Sequence, residues 1–128
     1  MHENSVSCIS AFTQMAALKA LEIGEPYIQK MVSEFAIRRD LVVNGIRSIP
    51  RLNTICPTAT FYLYFNIRET GMNSRDFVFS LLDNEKVALV SGNAFGQGQE
   101  NYVRLSYASS QQNIRLGLER IADFVNKI

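Results

Sequence analysis

Apolar and polar side chains alternate along one stretch of this chain, and that alternation limits the possible folds more than any other feature. The drier positions hold Ala59, Phe61, Leu63 and Phe65, and the positions between them hold Thr60, Tyr62, Tyr64 and Asn66. A repeat of two is the repeat of a β-strand, in which successive side chains point to opposite faces. The sequence therefore predicts a strand from Thr54 to Ile67 with one drier face.

Two helical segments are predicted before this strand. Ser10 is the expected N-cap of a helix from Ala11 to Ile23, which is rich in Ala and Leu and ends at Gly24. Pro26 opens a second helix, whose apolar residues recur every three or four positions as far as a predicted stop at Gly45. Because so few residues separate the two segments, we expect one long bent helix of the kind that bridges two domains.

Shorter elements follow the alternating stretch. A helix capped by Asn73 or Ser74 is expected first, then a strand from Lys86 to Val90 and another from Tyr102 to Ala108. Ser109 or Ser110 caps a last helix. Its predicted apolar stripe is Ile114, Leu118, Ile121, Ala122 and Val125. The expected fold is α+β, a small sheet of three to four strands with helices packed on one face and the long bent helix in front.

Composition and charge exclude several classes of protein. With 128 residues, 47% hydrophobic and 20% charged, the chain suits an ordinary globular domain. A formal net charge of +1 is too small to attract a nucleic acid by bulk electrostatics, so no nucleic-acid partner is expected. No apolar run approaches the roughly 20 residues that cross a bilayer, and no secretory signal precedes the first helix. We therefore predict a cytoplasmic protein without a membrane partner.

Cysteine and histidine usage argues against a metal site. The two cysteines, Cys8 and Cys56, are expected to stay reduced in a chain without an export signal. There is no Cys-x-x-Cys motif, and the single histidine, His2, lies in a terminus where a catalytic imidazole could not be held in place. No metal is predicted.

Arg104 is the sharpest candidate for a binding residue. Its guanidinium presents a rigid fork that matches a carboxylate, and the strand expected around it holds a side chain better than a loop does. Val103, Leu105 and Tyr107 are expected on the opposite face of this strand, so Arg104 lies on the sheet face that no predicted helix covers. From the residues alone, a solvated arginine or a structural ion pair remains the alternative.

Three other groups have weaker patterns. Gly92, Gly96 and Gly98 could form a phosphate-binding loop, but their spacing favours a long connecting turn. The aromatic residues of FYLYF could stack on RNA bases, but core packing is favoured because no RNA-binding motif is present. Adjacent charges at Arg38 and Arg39 are typical of a solvated helix face.

Several segments resemble those of a known family in their sequence and in their order along the chain. They are SxxxxTQMAALKAL, FxxRRD, PTATFYLYFNI, VSGNAFGQG and NYVRLSYA, followed by an amphipathic helix. Together they resemble the C-terminal part of a fold-type I, pyridoxal phosphate-dependent class I/II aminotransferase of the aspartate or aromatic type. Departures from the family pattern occur where Thr58, Ala59 and Thr60 follow Pro57, and where Ser91 replaces a proline.

The resemblance implies a division of the chain and a role for Arg104. Residues 1–46 would be an N-terminal segment and linker helix that belong partly to a missing large domain, and residues 47–128 would be the small C-terminal domain. The family's carboxylate-binding arginine falls on Arg104, which would grip the substrate α-carboxylate. The resemblance also implies amino acid and 2-oxo acid substrates and a homodimer for the intact enzyme.

The cofactor lysine of the family has no counterpart in this chain. The lysines here are Lys19, Lys30, Lys86 and Lys127, and none stands in the Ser-x-x-Lys context that the family uses. We therefore expect that pyridoxal 5'-phosphate serves the intact enzyme and that this chain alone does not transaminate. The alternative is a stand-alone amino-acid-binding or regulatory α+β module that uses Arg104 without chemistry.

Overall fold

The structure is a computed structural model that describes residues 8–128, and it contains four α-helices and a four-stranded antiparallel sheet. The helices are α1 (Ala11–Ile23), α2 (Glu25–Ser48), α3 (Ser74–Glu85) and α4 (Gln111–Lys127), and the strands are β1 (Asn53–Thr54), β2 (Tyr62–Asn66), β3 (Val90–Ser91) and β4 (Tyr102–Ser106). The strand order is β1-β2-β4-β3, and each neighbouring pair is antiparallel. The predicted α+β class is confirmed, whereas the prediction about His2 lies outside the described residues.

The described residues form two compact units, one ending at Glu34 and the other running from Phe35 to Ile128. The first contains α1 and the beginning of α2. No residue of α1 is buried within it, although α1 is predominantly apolar. Only Gly24 separates α1 from α2, and its dihedral angles are themselves helical. The bounds predicted for α1 are confirmed, and α2 begins at Glu25, one residue before the predicted start.

The second unit has its own hydrophobic core. One face of the sheet contributes the alternate residues Leu63, Phe65, Val103 and Leu105. The helices cover them with Val42 and Ile46 of α2, Phe77 and Leu81 of α3, and Ile114, Leu118, Ile121, Phe124 and Val125 of α4. This alternation confirms the predicted drier face at Leu63 and Phe65, whereas Ala59 and Phe61, also predicted on that face, are exposed. Phe124 is a buried residue that the predicted stripe omitted, whereas Ala122 is only partly buried.

Gly45 does not end the second helix as predicted. The helix continues to Ser48, and Gly45 lies inside it against Leu118 of α4. A Cβ atom at Gly45 would lie 2.5 Å from Leu118 Cδ1. The glycine therefore serves helix packing, which local sequence cannot distinguish from a stop signal.

The single strand predicted from Thr54 to Ile67 is in fact two strands. β1 and β2 pair with each other, with Asn53 opposite Asn66, and irregular backbone joins them. Pro57 in this connection has no N–H to donate, and Thr60 has a φ of 68°, which a β-branched residue rarely adopts. Both features break the strand that the alternation suggests.

Two other strands are shorter than predicted. Only Val90 and Ser91 pair with β4, because Lys86 caps α3 with a left-handed φ of 57°. β4 ends at Ser106 rather than at Ala108. Two of the predicted caps are confirmed: the Asn73 side chain accepts from the N–H groups of Arg75 and Asp76, and Ser110 Oγ accepts from the N–H of Asn113. Ser10 occupies the N-cap position of α1, but its side chain makes no capping hydrogen bond.

Candidate functional site

Arg104 lies in the middle of β4, directly opposite Tyr64 of β2. Its neighbours in the strand, Val103 and Leu105, point into the core, so Arg104 projects from the other face of the sheet. There it is partly buried. The predicted placement of Arg104 on the face away from the helices is confirmed by this register.

Two aromatic rings contact the guanidinium of Arg104. Its Cζ atom lies 4.2 Å from the centre of the Tyr62 ring and 4.6 Å from the centre of the Phe95 ring. Within the described part of the chain, the Arg104 side chain makes no hydrogen bond and no ion pair. The structural ion pair considered as an alternative is therefore not formed there, and the N–H donors of the fork are available to a planar anion.

Tyr64 adds a second aromatic layer beside Arg104. Its ring stacks on Tyr102 with 5.4 Å between the centres and 5° between the planes, and it meets Phe95 edge-on at 6.0 Å. The Tyr64 hydroxyl is buried and has no hydrogen-bond partner among the described residues. Burial raises the pKa of Tyr64 above 10.0, and the positive charge of Arg104 partly opposes that rise.

A tight turn places Phe95 beside Arg104. The turn spans Gly92–Phe95, and the Ser91 side chain caps it by accepting from the N–H of Asn93. Ser91 Oγ lies 2.8 Å from Oγ of the fully buried Ser74, which ties the start of the turn to α3. A Cβ atom at Gly92 would lie 2.2 Å from the Gln99 carbonyl oxygen and 2.5 Å from that of Tyr102. Only glycine therefore allows this close approach.

A cavity of about 680 Å³ lies on the same sheet face. Tyr62, Tyr64 and Tyr102 form its floor, and the β1–β2 connection forms one wall. Arg51, which also lines it, donates to the carbonyl groups of Val125 and Ile128 at the end of α4. Arg104 is not among the lining residues, whereas Tyr62, whose ring contacts its guanidinium, is one of them.

The glycines and the two adjacent arginines that were also candidates have local structural roles. Gly96 and Gly98 have positive φ values of 129° and 79° in the connection to β4, and no described atom lies within 4 Å of a Cβ built on either. This geometry agrees with the connecting turn that the glycine spacing predicts. Arg39 forms an ion pair with Asp40 at 2.8 Å, and Arg38 lies 5.2 Å from the ring centre of Phe35.

Phe65 of the aromatic stretch is fully buried, whereas Phe61 is partly exposed and packs near Phe35. Core packing therefore explains the aromatic residue at Phe65. The Tyr62 ring instead contacts the guanidinium of Arg104.

The lysines do not fit a covalent site for pyridoxal phosphate. Lys127 pairs with Glu85 at 2.7 Å, and Lys86 donates to the Asp83 carbonyl at 2.8 Å. Lys19 and Lys30 lie in the first unit, where Lys19 pairs with Glu22. None of the four lines the cavity beside the tyrosines. That none of these lysines attaches the cofactor stays a prediction.

Residues 8–128 contain no cluster of three or more His, Cys, Asp or Glu side chains that could bind a metal ion and no helix long and apolar enough to cross a membrane. Cys8 and Cys56 are both free and exposed.

The fold agrees with comparisons to known proteins. The family model for aminotransferase class I and II matches residues 2–121. This chain belongs to that family.

Individual relatives cover nearly all of the chain. The (5-formylfuran-3-yl)methyl phosphate transaminase of Methanocaldococcus jannaschii is 40% identical over 99% of the chain. Among solved structures, the aromatic aminotransferase of Pyrococcus horikoshii has a TM-score of 0.88 and 34% identity over 94% of the chain. The aspartate aminotransferase of Thermotoga maritima has a TM-score of 0.82 and 38% identity over 97%. The chain spans only 34%, 32% and 31% of these proteins, about a third of each.

Sequence reasoning identified Arg104 but missed its two aromatic neighbours as parts of one arrangement. Tyr62 is two residues from Tyr64, which pairs with Arg104, so the strand register would have placed it diagonally across from the arginine. Phe95 gave no comparable signal, because its position depends on how the Gly92–Phe95 turn folds back over β4.

Proposed function

We propose that this chain is the C-terminal third of a pyridoxal phosphate-dependent aminotransferase, and that Arg104 binds the α-carboxylate of its amino acid and 2-oxo acid substrates. The observation that carries the proposal is the unpaired Arg104 fork on the sheet face away from the helices, in a chain of this family. A partly buried guanidinium without a counter-ion favours a planar anion that can accept two parallel hydrogen bonds.

Arg104 acts on the substrate by binding and orientation. A bidentate grip fixes the plane of the carboxylate and hence the direction of the neighbouring α-carbon. Pyridoxal phosphate supplies the chemistry of amino transfer in this family, and the lysine that holds it lies outside these 128 residues. We expect no turnover by this chain alone with the cofactor, an amino donor and a 2-oxo acid. Turnover that disappears on replacing one of the four lysines would contradict this.

The division of the chain follows from the same proposal. Residues 1–46 are the linker and a part of a large domain that lies elsewhere in the intact enzyme, and residues 47–128 are the small domain. In support, α1 exposes Phe12, Met15, Leu18 and Leu21 by between 52% and 86%, and such a surface is suited to burial against more protein. The intact enzyme is a cytoplasmic homodimer in this proposal, and sedimentation of the full-length protein tests whether it is a dimer.

The role of Arg104 is tested in the full-length enzyme with paired substrates. Arg104→Leu removes a charge-assisted pair worth roughly 1.5 to 3 kcal/mol, so kcat/KM for an amino acid should fall about 10- to 150-fold. The corresponding amino acid amide lacks the carboxylate and should be affected much less. Arg75→Leu changes an exposed arginine of α3 and is the matched control. An equal loss of kcat/KM for the amino acid and its amide would show that Arg104 does not bind the carboxylate.

Calorimetric titration of the 128-residue chain with amino acids separates this proposal from the stand-alone binding module. Half of a binding site should bind only weakly, because the remaining contacts are missing. Micromolar affinity that is lost in Arg104→Leu would favour the module instead.

A further inference from the structure

We propose that Phe95 is a positioning residue, which together with Tyr62 holds the Arg104 guanidinium in the orientation that receives a substrate carboxylate. This inference rests on the carboxylate-binding role proposed for Arg104. Both rings lie within 4.6 Å of Arg104 Cζ, measured to the ring centres. That distance is well inside the range of about 6 Å at which a cation is attracted to an aromatic face.

An arginine without polar partners is otherwise a poor binding group. Its long side chain carries about 2 kcal/mol of rotamer entropy, which is lost when it binds. No described side chain orients Arg104 by a hydrogen bond or an ion pair. Contacts with aromatic faces can reduce its freedom without occupying the N–H groups, which lie in the guanidinium plane. The rings therefore orient the fork and leave its donors free.

The position of Phe95 is held by the surrounding structure rather than by burial of its own ring. Phe95 is 47% exposed, so the hydrophobic effect alone does not explain where its ring lies. The Ser91–Ser74 hydrogen bond, the close approach at Gly92 and the edge-on contact with Tyr64 together fix the turn that presents it. These three contacts therefore hold the exposed Phe95 ring beside the guanidinium of Arg104.

Nuclear magnetic resonance on the 128-residue chain tests the contact independently of any enzymatic role. The Nε–Hε signal of Arg104, assigned by its loss in Arg104→Lys, should be shifted by the two rings and show restricted motion. Phe95→Leu should move this signal towards the ordinary arginine position and increase its mobility, whereas Phe95→Tyr should retain both properties. An Arg104 signal that Phe95→Leu leaves unchanged would overturn the proposal.

Phe79→Leu is the matched control, because Phe79 is also an exposed phenylalanine beside an arginine. Its ring centre lies 5.9 Å from Arg75 Cζ, on α3. This variant should leave the Arg104 signal unchanged. Amide spectra of each variant outside the altered turn establish that the fold is retained.

Kinetics of the full-length enzyme test the consequence for binding. Phe95→Leu should raise KM for the amino acid roughly three- to tenfold and leave kcat within about twofold, since a cation–π contact contributes modestly to binding. Phe95→Tyr should keep the KM of the native enzyme, and Phe79→Leu should also leave KM unchanged. If Arg104→Leu raises KM but Phe95→Leu does not, the positioning role is wrong and the proposed function stands. If neither changes KM, the proposed function itself fails.

Discussion

The Tyr107 hydroxyl donates a 2.9 Å hydrogen bond to the carbonyl oxygen of Thr60, 47 residues away in sequence. Tyr107 directly follows β4 and is almost completely buried, and Thr60 is the residue with positive φ at the entrance to β2. The backbone N–H of Tyr107 also donates to the carbonyl of Phe61. These two bonds fasten the unusual Thr60 conformation to the adjacent strand.

Tyr107→Phe should destabilise the chain. It removes the hydroxyl that satisfies the Thr60 carbonyl but keeps the ring, so the free energy of unfolding should fall by about 0.5 to 1.5 kcal/mol. Urea denaturation followed by circular dichroism measures this difference. No change would mean that the Thr60 conformation does not depend on this bond.

Tyr64→Phe should have the opposite effect on the free energy of unfolding. The Tyr64 hydroxyl is buried without a partner among residues 8–128, so Tyr64→Phe removes an unsatisfied polar atom and keeps the stacking on Tyr102. We expect the free energy of unfolding to rise by roughly 1 kcal/mol. Tyr107→Phe, measured under the same conditions, is the control, and a loss of stability in both variants would contradict the prediction for Tyr64.

Gly92→Ala should destabilise the turn that carries Phe95. The new methyl group would lie 2.2 Å and 2.5 Å from two backbone carbonyl oxygens, which cannot rotate away as a flexible side chain can. The expected loss is about 1 to 3 kcal/mol. Gly117→Ala in α4 is the matched control: no described atom lies within 4 Å of its added Cβ, and alanine should stabilise that helix by about 0.5 to 1 kcal/mol. Equal effects at the two positions would show that packing around Gly92 is looser than these distances require.

Stability should fall in alkaline solution because of the buried Tyr107 and the buried hydroxyl of Tyr64. Burial raises the pKa of Tyr107, opposed by Arg39, and burial also raises the pKa of Tyr64. Above about pH 10 the unfolded chain releases these protons while the folded chain keeps them, so the stabilisation present below pH 10 is lost as the pH rises through the folded pKa values. Unfolding free energies measured between pH 8 and pH 11 should show a steeper decline for the native sequence than for the double variant Tyr64→Phe/Tyr107→Phe. Parallel curves would contradict the assignment.

Features governed by neighbouring residues were predicted well from the sequence. The bounds of α1, the Asn73 cap and the alternation of FYLYF depend on local backbone preferences and on a repeat that every strand shares. Arg104 was placed on the correct face by the same repeat. The family that the short motifs resemble is confirmed by the family model over residues 2–121.

The sequence by itself thus determined the α+β class, the helix caps and the arginine that faces away from the helices, since each follows from interactions a few residues apart. Only the tertiary structure decided that Gly45 packs against Leu118 instead of ending a helix, that Thr60 interrupts a strand, and that Phe95 lies over Arg104. These outcomes depend on contacts between residues distant in sequence, and their energies exceed the weak local preferences that a glycine, a threonine or an exposed phenylalanine expresses alone.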